Sequence, residues 1–165
     1  MAGLDLQTIF QHASNFHESD HRLRNTVPRD KPEQLPLIAH PAMVLSAFAS
    51  ELYLKCLLCI ETGTVPPTHN LKNLFKRLQP NTQRRLEELW DTDIRRPERQ
   101  RSIEHMCQLP RGNELRLDLL YALDMGANAF TELRYYYEKQ SSYFLLSDFP
   151  NLLRAVILER MPSWV

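Results

Sequence analysis

The chain has 165 residues and a mass of 19.4 kDa, the size of one domain with one core, so a single domain is expected rather than two. Its 43% apolar and 24% charged content excludes an intrinsically disordered chain, and twenty basic against twenty acidic side chains leave no global field to mark a nucleic-acid or membrane-surface binder. Four glycines against eleven prolines argue against a hairpin-rich β fold, whose tight turns need Gly or Asn at positive φ, and for helices joined by stiff connections.

Leu6, Ile9, Phe10, Ala13 and Phe16 recur at helical spacing, so a first helix is expected from Gly3 or Asp5 to about Arg24. No basic side chain precedes its apolar positions, unlike the charge order of a signal peptide. Residues 25–36 carry three prolines among charged residues and read as a connection. A second helix, apolar on nearly every side, is expected from about Pro41 to Thr62, stopped where Gly63 tolerates a left-handed backbone. Glu51 and Lys55 near its middle disfavour a membrane span. Cys56 and Cys59 on it, with Cys107 beyond, form an odd and sparse set. That pattern suits core thiols in a reducing cytoplasm, not a disulfide scaffold.

Thr68 is the expected cap of a third, short helix with Leu71, Leu74, Phe75 and Leu78 on one face. Beyond Pro80, Leu86, Leu89 and Trp90 mark a fourth, whose charged continuation restarts at Pro97. From Asn113 to about Lys139 one long helix is expected, with Leu119, Leu123, Ala127, Phe130 and Tyr137 near its seam and Gly126 as a close-packing point. A last helix should run from Pro150 to Met161. There is no fixed-period repeat, low-complexity tract or long alternating run. The expectation is a single all-α domain over 1–165, a soluble cytoplasmic bundle of about six helices centred on residues 41–62 and 113–139.

The block ASELYLKCLLCIETGTVPPTHNLKNLF has an apolar helix carrying Lys55, then Gly63, Pro67, and Thr68-His69-Asn70-Leu71 opening the next helix. This resembles the helix, turn and helix block of HEPN domains, a family named for nucleotide binding in higher eukaryotes and prokaryotes. The element LRYYYE, with Arg134, Tyr135 and Glu138, resembles the Arg-Tyr element of one HEPN subgroup. Together the two cover about a fifth of the chain. The resemblance implies a HEPN-like helical bundle that forms a homodimer and binds a nucleotide, RNA or a cognate protein partner, in a toxin-antitoxin or phage-defence setting, without a cofactor.

HEPN ribonucleases carry Arg, four to six residues, then His near the last core helix, whereas the final histidine here is His105. Arg99 and His105 satisfy the bare spacing, but chance alone supplies about one or two such pairs in this composition. On one helix they would also sit about 240° apart. The expectation is therefore a noncatalytic nucleotide-, RNA- or partner-binding module. The alternatives are a metal-independent ribonuclease of unrecognised arrangement and an interaction protein without a small ligand.

Glu51 and Lys55 lie one turn apart on the most apolar helix, and a buried carboxylate needs partners. Arg134 is the expected partner of Glu51 across the two central helices; the group is either an ion pair that docks them or faces a ligand. His69 begins a helix, where free N–H groups attract anions, and with Lys72 and Lys76 it forms a candidate phosphate site. Its alternative is to bond the turn and lock two helices together. Residues 69–101 carry nine basic against five acidic side chains, either a solvated face or an RNA surface. His17-Glu18-Ser19-Asp20-His21 reads literally as the HExxH zinc signature. No third-ligand motif follows and the flanks are polar, so no metal is expected, with His17 and His21 as the weak alternative site. Tyr135, Tyr136 and Tyr137 point in different directions on a helix, so at most two share a stacking surface.

Overall fold

A computed structural model of the protein describes residues 5–27, 34–108, 115–129 and 145–164. Among these the fold is all-α: seven α-helices, two short 3-10 turns and no strand. In chain order they are α1 (Leu6–Arg24), α2 (Leu35–Thr62), α3 (Leu71–Lys76), α4 (Pro80–Ile94), α5 (Pro97–Cys107), α6 (Leu119–Met125) and α7 (Phe149–Arg160). The 3-10 turns are Leu145–Asp148 and Pro162–Trp164.

Helix α2 is the centre. Tyr53, Leu54, Cys56 and Leu57 are fully buried, with α1 packed along one side and α7 along another. Phe16 of α1 meets Phe48 edge to face at 4.4 Å, and Phe10 lies 5.8 Å from Tyr53. Residues 37–62 are long and apolar enough to cross a membrane by length and composition alone, and 61% of the most apolar window is buried within the fold. Gly63 ends α2 at φ 71° with its N–H on the Cys59 carbonyl, the left-handed cap that its sequence position suggests. Helix α2 begins earlier than expected, at Leu35, with Pro41 inside it. The Leu37 carbonyl that Pro41 cannot serve belongs to an exposed residue, so it is open to solvent in place of the missing donor.

Two further helix starts differ from the sequence expectation for local reasons. The α3 cap is Asn70, whose Oδ1 accepts from Asn73 N at 2.9 Å, while Thr68 Oγ1 accepts from Asn70 N. The long helix expected from Asn113 is instead non-helical over 115–118, because Asp118 caps α6 by accepting from Tyr121 N at 2.9 Å. Gly126 then closes that helix. A Cβ at Gly126 would stand 2.6 Å from Leu146 Cδ1, so the expected close approach is made to the Leu145–Asp148 turn. The continuation to Lys139 lies mostly outside the described residues.

Polar clusters join the layers. Glu61 at the end of α2 accepts from Gln79 N at 2.8 Å, from Thr82 of α4 and from Arg160 of α7. Trp90 of α4 donates its indole N–H to the Leu117 carbonyl at 2.7 Å.

Candidate functional site

Glu51 is 1% exposed, held inside by the apolar residues of α2 around it. One carboxylate oxygen, Oε1, accepts from Lys55 Nζ at 2.8 Å and from His69 Nδ1 at 2.9 Å. The other, Oε2, is buried without a hydrogen bond among the described residues. Three of the candidate residues therefore form one cluster. Its Lys55 side chain is nearly closed to solvent, whereas the His69 side chain is 62% exposed. The cluster ties α2 to the start of α3 across the Gly63 loop. Arg134, the expected partner of Glu51, lies outside the described residues, as do Tyr135, Tyr136 and Tyr137.

The anion reading of His69 depends on free N–H groups at the start of α3. Leu71 N donates to the Ala127 carbonyl at 2.8 Å, and the N–H groups of Asn70 and Asn73 are bonded as described above. Lys72 is paired with Asp124 of α6. These groups thus spend their hydrogen bonds on the turn itself and on joining α3 to α6. Lys76 is exposed.

The basic stretch separates into two sets. Lys72, Arg85, Arg96, Arg99 and Arg101 each pair with a carboxylate. Lys76, Arg77, Arg84 and Arg95 are exposed and have no ion pair among the described residues. The sequence holds no acidic residue between Glu61 and Glu87, so Lys76 and Arg77 at the α3–α4 turn have no acid one turn away along the chain, whereas Arg84 has Glu87 and Glu88 on the next turn of α4. Arg99 is committed to the core. It donates to the Leu145 carbonyl at 2.7 Å, pairs with Asp148 at 3.0 Å and lies over Trp90 at 5.7 Å. Burial, and then the nearby Asp148 charge, push the Asp93 carboxyl of this network upward despite Arg99 and Arg96.

The HExxH residues lie on α1 at a cleft facing α7. His17 Nδ1 is 3.4 Å from the Tyr53 hydroxyl, Glu18 accepts from Arg22 at 2.8 Å, and His21 Nδ1 is 3.1 Å from Asn25 Nδ2. Among the described residues no group of three or more His, Cys, Asp or Glu is arranged to hold a metal ion. Burial, with help from the Arg154 charge, pulls the His17 pKa down against the opposing effect of a hydrogen bond with the Asn151 side chain, so its imidazole is neutral near pH 7. Cys56 and Cys59 are free and buried, and burial raises the Cys56 thiol to about 12; Cys107 is exposed.

The cleft, about 580 Å3, has Tyr53 of α2 among its lining and Asn151 and Arg154 of α7 on its far wall. Sequence reasoning missed Arg154 and Asn151, because α7 reads as an ordinary closing helix. One signal was present: residues 150, 151, 157 and 158, one turn either side of Arg154, are Pro, Asn, Ile and Leu, so the helix itself offers no acid to pair it. No protein-family model, curated protein or solved structure matches this chain.

Proposed function

We propose that the protein is a noncatalytic HEPN-like binding module that takes RNA or a nucleotide on an exposed basic surface around the α3–α4 turn. The observation that carries this reading is the set Lys76, Arg77 and Arg84, exposed and without ion pairs among the described residues, in a stretch free of acids from 62 to 86. Unpaired surface cations attract phosphates and release counterions when they bind them. The core position of Arg99 argues against its use as a ribonuclease arginine. The resemblance adds a homodimer, which sedimentation equilibrium checks, and a cytoplasmic defence setting.

Titration of a short single-stranded RNA at about 50 and about 200 mM salt tests the reading. Affinity should fall steeply with salt, the RNA should stay intact, and Lys76→Glu with Arg77→Glu and Arg84→Glu should remove binding. No binding at low salt would leave the protein-interaction reading ahead, which the closed Glu51–Lys55 pair favours. Cleavage of the RNA would favour the ribonuclease.

A further inference from the structure

The cleft between α1 and α7 uses none of the residues of the basic surface. Its floor is a chain of hydroxyl and ring groups: Ser14 Oγ lies 3.1 Å from the Tyr53 hydroxyl, which in turn lies 3.4 Å from His17 Nδ1. Asn151, whose side chain is hydrogen-bonded to His17, and Arg154 complete it from α7. Arg154 is half-buried and has no ion pair among the described residues. The one acid on the rim, Glu18, is bonded to Arg22, away from it. A neighbouring cavity of about 290 Å3 shares Ser14 and Arg154 with the cleft. Its walls include Phe10 and Trp164, whose rings are 5.3 Å apart, and the amides of Gln7 and Gln11.

A partly desolvated guanidinium without a counter-ion calls for an anion, since burial raises the cost of leaving it unpaired. The remaining groups are hydroxyls, an amide and a neutral imidazole, all able to donate. They come from three helices, so they approach a common point from several directions. A planar carboxylate has two acceptor oxygens in one plane, whereas a phosphate monoester offers three spread in space, which matches donors on three walls. The apolar rings of the second cavity continue from the same arginine.

We infer that the α1–α7 cleft binds a small phosphate monoester, with the phosphate on Arg154, Ser14 and Asn151 and the organic body lodged toward Phe10 and Trp164. This site stands apart from the RNA surface and does not depend on it.

Calorimetric titration with phenyl phosphate, inorganic phosphate and benzoate tests the assignment. Phenyl phosphate should bind more tightly than either of the other two, because only it fills both cavities with the right anion. Arg154→Gln should weaken it about tenfold or more, the scale of a charge-assisted hydrogen bond. Asn151 is exposed, so Asn151→Asp keeps the fold testable if Arg154→Gln does not, and it should weaken binding as well. Lys76→Glu with Arg77→Glu should leave phenyl phosphate affinity unchanged, which separates this site from the RNA surface. Absence of binding at millimolar ligand, equal or tighter binding of benzoate, or unaltered affinity in both cleft variants would overturn the inference.

Discussion

Glu51 shows how one ionisable residue organises its surroundings. Its carboxylate is inside the bundle, and among the described residues the cost of its desolvation is offset by the ammonium of Lys55 and the ring N–H of His69. Glu51→Ala should cost about 3 kcal/mol in urea unfolding, because it leaves Lys55 nearly buried without a counter-charge. Glu51→Leu combined with Lys55→Met should recover most of that loss, since replacing a buried pair by apolar groups is often neutral. A double variant as unstable as the single one would contradict a simple ion-pair role. The i,i+4 spacing on an apolar helix made this pair legible in the sequence. His69 as its third member was not, because that contact is set by how the Gly63 loop folds back.

His17 gives a pH signature at the same scale. Its folded pKa lies below the ordinary 6.5, with burial the largest cause. Below pH 6.5 the unfolded chain therefore takes the proton before the folded one, and stability falls as pH drops from 6.5 toward the folded pKa. His17→Gln removes this penalty. The urea midpoint of the variant relative to wild type should thus rise as pH is lowered from 7.5 to 5, and a constant difference would show that His17 titrates normally.

At the scale of elements, the ends set by backbone chemistry were the readable ones. Asp5 caps α1, Pro80 and Pro97 open α4 and α5, and Gly63 closes α2. Residue 118 was not readable in the same way. An Asp inside LRLDLLYAL fits a helical stripe as well as it fits a cap, and the choice is made by the Leu117 carbonyl, which Trp90 holds from another helix. A methyl group added at Gly63 would meet nothing within 4 Å, so Gly63→Ala isolates the backbone contribution. It should cost about 1 kcal/mol, the penalty of an L side chain in the left-handed region. Thermal denaturation reads this directly, and an unchanged melting temperature would mean that the loop relaxes to another turn.

For the whole molecule, the all-α architecture followed from composition and periodicity, while the arrangement of its polar groups did not. Arg99, Glu61 and Glu51 are each drawn into a network that joins separate helices, a role that depends on long-range packing. Arg154 escaped notice for the same reason: its cleft exists only once α1 and α7 have both docked on α2. Many charges remain at the surface, most of them in ion pairs, and the unpaired cations Lys76, Arg77 and Arg84 lie within one short run of sequence. The function proposed above divides the charges into inner ones that hold the bundle and outer ones that would meet the ligand. RNA affinity measured in parallel with melting temperature, for Glu51→Leu with Lys55→Met and for Lys76→Glu with Arg77→Glu and Arg84→Glu, tests that division. The inner pair of substitutions should leave RNA affinity unchanged, and the outer three should abolish it at an unchanged melting temperature. Loss of RNA binding in a folded inner variant, with binding kept in the outer one, would contradict the account.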